Sequence, residues 1–428
     1  MTSGRTFSKM PPQDTDTKLA CSRFTLKDYD VIGFDLDHTL ARYRLPALYR
    51  LCYTSIVKHL IDIGYPKEIF SDFDESQLAF CQKGLLYDKE KGNFLKLGVD
   101  RNILLCYHGT KRLSNEAIQK IYGAESEEAA TLKHMPFIRG ETSEKVTRFF
   151  HCFGDYFTVG TIYLLMKIVD AKDAGKIASQ DYAKPYRDFF EGYSKMYSRE
   201  NFQEHTGYFF PEVKTNTSKM LYQCTPKMLE WLKQLRFDGM KIVVITSSNA
   251  DYAEMMLRYC IGNNWMDYFD SVVTWARKPG FWTQPERMFY TVKNNREGDM
   301  IGSLKDKTVY AQGSCNKLNQ LLKQLTGKDQ PKMVYVGDSL VDDIYVPTKY
   351  DCCDTIGIVE EIELEKMPGW SSNWGSFFYA NEPIESPSFW SSVISSSCKL
   401  AVPSVEEMAQ YPRDHVFEKC TDSCLVFT

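Results

Sequence analysis

The sequence predicts an α/β protein: a core built on an open, mostly parallel sheet, with a large, mainly helical cap inserted after the first strand. Three observations predict it. Short apolar runs end in polar or acidic residues: Tyr29-Asp-Val-Ile-Gly-Phe34 before Asp35, Lys241-Ile-Val-Val-Ile-Thr246, and Met333-Val-Tyr-Val336 before Gly337-Asp338. Buried strands of a parallel sheet have this character. Helical periodicity precedes the second and third runs. About 200 residues separate the first two, far too many for a strand-to-helix connection.

The elements follow in order. Residues 1–20 are polar and of mixed charge and read as a disordered leader. Behind the first strand, Arg44 to Cys224 is rich in Tyr and Phe and reads mostly helical, with a turn-rich stretch at Gly84 to His108 that predicts a small β element. The most apolar segment, Phe149 to Val169, is interrupted by His151, Asp155 and Lys167, so it reads as a buried helix and not a membrane span. Thr225 is a good N-cap, Pro226 suits the first helical position, Met228, Leu232 and Leu235 recur at helical spacing, and Gly239 ends the run. Ser314 heads a second such helix through Leu318, Leu321, Leu322 and Leu325, which Gly327 stops. Further strands are expected near 271–274 and 355–359. The predicted division is a core from 21–43 and 225–409, an inserted cap at 44–224, and a loosely ordered tail at 410–428.

Charge and composition narrow the function. The 428 residues carry a net charge of -4, whereas a nucleic-acid binder normally shows a cationic surplus. The 13 cysteines form no CxxC pair, so a structural zinc is not expected; Cys352-Cys353 and Cys420/Cys424 read as ordinary reduced thiols. Without a signal peptide or membrane span, the cytosol is the expected address. No internal repeat stands out, and assembly into oligomers is left open.

The strand ends carry the chemistry. Phosphate monoesters resist attack because the phosphoryl group is anionic and the leaving alkoxide is poor, so hydrolysis needs a nucleophile, a proton donor and cations. Asp35-x-Asp37 offers the first two: Asp35 to attack phosphorus, Asp37 to protonate the leaving oxygen and then activate water. Thr246, with Ser247 beside it, offers hydroxyls and N–H groups for phosphoryl oxygens. Lys278, in Ala276-Arg-Lys-Pro-Gly280, offsets charge on Asp35 and the phosphate. Asp338 suits magnesium together with the Asp35 carboxylate and the Asp37 carbonyl, with Asp343 orienting a bound water or Lys278. Each motif has a plainer alternative: an Asx turn at 35–37, helix caps at 246 and 338, a solvated lysine at 278. Their shared placement at strand ends favours one site.

Asp35-x-Asp-x-Thr39, Thr246, Lys278 and Gly337-Asp338 resemble, in order, the four motifs of the haloacid dehalogenase superfamily. Ile32-Gly-Phe-Asp-Leu-Asp-His-Thr-Leu-Ala-Arg-Tyr43, Gly92-Asn-Phe-Leu-Lys96, Tyr107-His-Gly109, Ala276-Arg-Lys-Pro279 and Trp374-Gly-Ser-Phe-Phe378 look like the cytosolic 5′-nucleotidase family. The resemblance implies a Rossmannoid core with an inserted cap, magnesium, and hydrolysis of nucleoside monophosphates. It further implies that Phe157 stacks on the base and Arg187 sits beside it, although ordinary packing of the cap accounts for both. His38, Ser247-Ser248 and Ser194 depart from that family's tyrosine, asparagine-serine and histidine. The expected function is therefore magnesium-dependent phosphomonoester hydrolysis, probed against the alternative of a catalytically weak nucleotide-binding or scaffold protein.

Overall fold

The structure, a computed structural model, describes residues 22–123, 126–133, 149–380 and 386–419. The expected leader at 1–20 lies outside these residues, as do Cys420 and Cys424.

A nine-stranded sheet forms the core. Its strands are β1 (Val31–Phe34), β2 (Lys241–Ile245), β3 (Ser271–Thr274), β4 (Phe289–Lys293), β5 (Arg296–Ile301), β6 (Thr308–Gln312), β7 (Met333–Gly337), β8 (Asp354–Ile358) and β9 (Cys398–Val402). They lie in the order β5-β4-β6-β3-β2-β1-β7-β8-β9. All neighbours pair in parallel except β4, which runs antiparallel to both β5 and β6 and so adds an antiparallel edge. β1 is therefore central, buried along its whole length. Gly33 in it makes room for a neighbour: a Cβ there would stand 2.9 Å from the Tyr335 ring.

The principal helices are α1 (Leu45–Asp62), α2 (Ile162–Asp173), α3 (Ala183–Met196), α4 (Arg199–Glu204), α5 (Pro226–Phe237), α6 (Ala250–Cys260), α7 (Gly280–Thr283) and α8 (Cys315–Thr326). Two begin as their sequences predict. Thr225 accepts the Met228 N–H at 3.2 Å to cap α5, and Ser314 accepts that of Lys317 at 3.4 Å to cap α8. Gly327 closes α8 with φ 68°, a left-handed conformation that glycine adopts without Cβ strain.

The chain between β1 and β2 contains more sheet than its composition predicts. Lys111–Arg112, Ile103–His108, Asn93–Leu97, Leu86–Asp88 and Phe150–Cys152 form a five-stranded antiparallel sheet in that order. The segment expected as one buried helix, 149–169, divides into the last of these strands, a single turn at Tyr156–Val159, and α2. Asp155 causes the first break, its carboxylate accepting the Thr158 N–H at 2.9 Å and opening a new helix start. Gly160 marks the second, where a Cβ would stand 2.4 Å from the Tyr49 ring. One apolar cluster runs from the core sheet (Phe34, Ile242, Val244) into this inserted chain (Leu48, Tyr49, Ile56, Leu165), so the two share a hydrophobic interior.

The tail expected to be loose from 410 onward is held as far as it is described. Phe417–Lys419 pairs with Ser22–Phe24, and the Arg413 guanidinium donates to the Tyr29 carbonyl at 2.8 Å. The cause is aromatic: Phe417 packs on Phe24 and Tyr411. No helix among the described residues is long and apolar enough to cross a membrane.

Candidate active site

Four adjacent strands, β3, β2, β1 and β7, deliver their C-terminal ends to one point, where ligands bind in open parallel sheets. β1 delivers Asp35 and Asp37, β2 Thr246, the loop after β3 Lys278, and β7 Asp338. Asp35, Asp37, Thr246 and Asp338 are buried, Asp35 at 7% and Asp37 at 8% exposure, and the Lys278 side chain is 4% exposed.

The two aspartates of the first motif sit in different settings. Asp35 pairs with the Lys278 ammonium at 2.9 Å. Asp37 instead accepts the Tyr43 hydroxyl at 2.7 Å, the Ser248 hydroxyl at 2.6 Å and the Thr246 hydroxyl at 3.5 Å. Burial pushes the Asp35 carboxyl up to about 8, against the opposing pull of Lys278. Burial also raises Asp37, while the hydroxyls of Ser248 and Tyr43 counter it.

Lys278 is a buried cation rather than a solvated surface one. Its Nζ lies 2.6 Å from Asp343 Oδ1 and 3.0 Å from the Tyr335 hydroxyl, in addition to its contact with Asp35. Burial alone would lower it, but Asp343 and Asp35 hold it above the usual lysine range. Its loop is pinned by the Ala276 N–H, which donates to the Thr246 carbonyl at 2.9 Å, and by the Lys278 N–H, which donates to the Ser247 hydroxyl at 3.1 Å.

Asp338 follows β7 directly. Its Oδ2 is buried without a hydrogen-bond donor, and burial pushes its carboxyl well above the usual range, opposed by Lys83. Ligand oxygens of Asp35, Asp338 and Asp343 lie within 4.8 Å of one another. Three buried carboxylates with an orphaned oxygen among them are the donor set a hard divalent cation requires, so the residues present fit a metal ion. Asp343 is fully buried, and its second oxygen accepts the Ser339 N–H at 3.1 Å. It rests against Gly337, where a Cβ would fall 2.6 Å from its own.

These groups floor a cavity of about 350 Å³ whose upper wall belongs to the inserted chain. Phe157, Tyr193, Tyr197, Phe202 and Phe210 line it, with Tyr252 from α6. Ser247 and Phe157 therefore stand on the cavity wall. Arg187 does not: it is exposed on α3, outside the lining, and Ser194 is exposed on the same helix. The lining arginine is Arg199, which donates to Asp251 at 3.2 Å, to Glu297, and to the Asn295 carbonyl at 2.7 Å.

Sequence reasoning missed several contributors. It places Ser248 only behind Thr246 at the strand end and does not foresee its hydroxyl contact with Asp37. Tyr43 lies in the first motif's own segment. His38 is buried against Tyr43, Tyr156 and Phe157 with neither ring nitrogen hydrogen-bonded; burial keeps it neutral, with Lys83 adding to the effect. Lys83, from the inserted chain, donates to the Asp338 carbonyl at 3.1 Å, faces Glu361 at 3.6 Å and lies over the Tyr156 ring. Nothing in its sequence neighbourhood signals that position.

A parallel sheet with these groups at its strand ends, roofed by an insert after the first strand, defines a protein of the haloacid dehalogenase type. More narrowly, the chain belongs to the 5′ nucleotidase family, whose model matches residues 19–373. It is 33% identical to 5′-nucleotidase domain-containing protein 1 of Homo sapiens, over 94% of each chain, and 34% identical to the Bos taurus protein of that name, over 92% of this chain and 93% of the other. Among solved structures, an archaeal beta-phosphoglucomutase from Pyrococcus sp. strain ST 04 aligns with a TM-score of 0.32 at 10% identity, covering 77% of this chain and 86% of that one, which adds nothing to the fold described above.

Proposed function

We propose that the protein is a magnesium-dependent phosphomonoesterase acting on a small phosphorylated substrate, a nucleoside 5′-monophosphate by family. The observation that carries this reading is the separation of the two first-motif carboxylates: Asp35 lies against an ammonium and Asp37 against hydroxyls. Carboxylates in environments this different take different roles.

Asp35, whose anionic form the Lys278 ammonium favours against burial, attacks phosphorus to form an aspartyl phosphate. The ester P–O bond breaks, and Asp37, whose burial favours the protonated form, gives its proton to the leaving oxygen. Asp37 then takes a proton from water as that water attacks the phosphoryl group, and Asp35 is released. Thr246 and the N–H groups behind it hold phosphoryl oxygens. Asp35, Asp338 and the Asp37 carbonyl would hold magnesium, with Asp343 behind them; the ion would supply positive charge against the phosphate. The aromatic upper wall suits a leaving group that carries a flat ring, such as a nucleoside, with Phe157 on the face of its base.

The test is phosphate release from nucleoside monophosphates, sugar phosphates and phosphopeptides with magnesium, beside Asp35→Asn and metal-free samples. Turnover of a nucleotide that vanishes in both controls is expected. Release no greater than that of Asp35→Asn across the panel would overturn the assignment and favour a binding role.

A further inference from the structure

We propose that Cys315 and Cys352 form an oxidant-reactive dithiol that closes to an intramolecular disulfide on exposure to hydrogen peroxide. The pair lines a different cavity from that of the aspartates. Cys315 opens α8, and Cys352 lies in the turn before β8, next to Asp351 with its left-handed φ of 52°.

Three observations carry the proposal. First, the two thiols lie close enough that each is the strongest influence on the other's ionisation, although they are 37 positions apart in sequence. Folding alone therefore brings the sulfurs together. Second, both line a cavity of about 500 Å³ with Thr283, Asn316 and Asn319, larger than the one above the aspartates. A molecule the size of peroxide can reach the pair, and both cysteines are partly exposed. Third, their surroundings differ from those of the other cysteines. Burial pushes the thiols of Cys52, Cys81, Cys106 and Cys260 up to about 12, which suppresses the reactive thiolate. The neighbouring Cys315 thiol instead lowers Cys352, against its burial, and Cys352 in turn raises Cys315. One sulfur is thus favoured as thiolate while its neighbour keeps a proton. In its neutral form Cys352 donates to the carbonyls of Trp282 at 3.6 Å and Tyr350 at 3.8 Å.

The chemistry balances with peroxide as the named oxidant. The Cys352 thiolate attacks one peroxide oxygen, the O–O bond breaks, and the departing hydroxide takes a proton to become water, leaving a sulfenic acid. The Cys315 sulfur then attacks the Cys352 sulfur, the S–O bond breaks, and the Cys315 proton leaves with the hydroxide as a second water. Two thiols are oxidised, and one peroxide is reduced to two waters. Cys353 is next in sequence but does not line the cavity, and burial pushes its thiol well above the usual range. Among the described residues, the only group of three potential metal ligands is the aspartate cluster, which argues against reading the thiols as a metal site.

The full chain, reduced and freed of reductant, should be titrated with hydrogen peroxide, alkylated, and digested with trypsin without reduction. Mass spectrometry should find peptide 308–317 joined to peptide 350–366, two hydrogens lighter than their sum, with loss of the two alkylatable thiols. Dithiothreitol should separate them. The joined pair should be absent from Cys315→Ser and Cys352→Ser and retained in Cys353→Ser. Recovery of both peptides unjoined from the wild-type chain, whether alkylated or carrying sulfinic acid, would overturn the proposal. So would a join that survives Cys352→Ser and is lost in Cys353→Ser. The wild-type result stands even if a variant fails to fold.

Discussion

Lys278 and Asp343 form a fully buried ion pair at 2.6 Å, and the same ammonium reaches Asp35 at 2.9 Å. Asp343 therefore fixes where the lysine charge sits relative to Asp35. Replacing Asp343 by Asn keeps the shape and removes the charge. The kcat for phosphate release should fall by on the order of 10²-fold, as when one fixed electrostatic partner is removed from a site. Circular dichroism should remain that of the folded chain. An unchanged kcat would show that Asp343 does not position Lys278.

Gly337→Ala tests the same corner by steric means. The new methyl would stand 2.6 Å from the Asp343 Cβ, and Asp343 is fully buried with nowhere to retreat. Urea unfolding should show a loss of about 1–3 kcal/mol, the usual cost of overpacking a core, together with reduced turnover.

Magnesium should raise the thermal midpoint of the chain, because it binds the folded carboxylate cluster and not the unfolded one. Asp338→Asn should abolish most of that shift. Differential scanning fluorimetry with and without the ion reads both outcomes, independently of any substrate.

Phe157 lines the cavity and Arg187 does not. Phe157→Ala should raise KM for the preferred nucleotide by roughly tenfold, the loss expected for one aromatic stacking contact. Arg187→Ala should change it by less than about twofold, as an exposed residue outside the site. Steady-state kinetics on the two variants separate the positions.

Glu360 makes stability depend on pH. Burial pushes its carboxyl up from 4.5 to about 7, only partly opposed by Arg42 at 3.4 Å, and its Oε1 has no hydrogen-bond donor. Below pH 4.5 the group is protonated in both states. Between 4.5 and about 7 the unfolded chain releases the proton and the folded chain keeps it, so stability falls as pH rises. At about 1.4 kcal/mol per pH unit the loss is on the order of 3 kcal/mol. Glu360→Gln should flatten that slope in urea titrations from pH 5 to 8.

The strand ends were legible in sequence because buried parallel strands are continuous apolar runs. An acidic or hydroxyl residue at the end of such a run stands out, as Asp35, Thr246 and Asp338 do. The helix starts at Thr225 and Ser314 were equally plain, since capping is local. What was hidden depends on distant partners. Tyr335 and Gly33 look like ordinary strand residues until they pack on each other beneath Lys278. Phe150–Cys152 looked helical because its apolar character follows from burial, while its pairing with Leu86–Asp88 is invisible in either segment alone. Arg199, an unremarkable arginine after a serine cap, becomes a cavity residue only through Asp251 and Glu297, 52 and 98 positions away.

Lys83 has the widest consequence. It belongs to the inserted chain, yet its ammonium lies beneath Asp338 and faces Glu361 in the core. A shortened chain joining residue 43 to residue 225 would retain the four strand-end motifs and lose both the cation under one of them and the Lys83 and Tyr156 partners of Glu361. Roof and floor are thus not interchangeable parts, and neither can be inherited without the other.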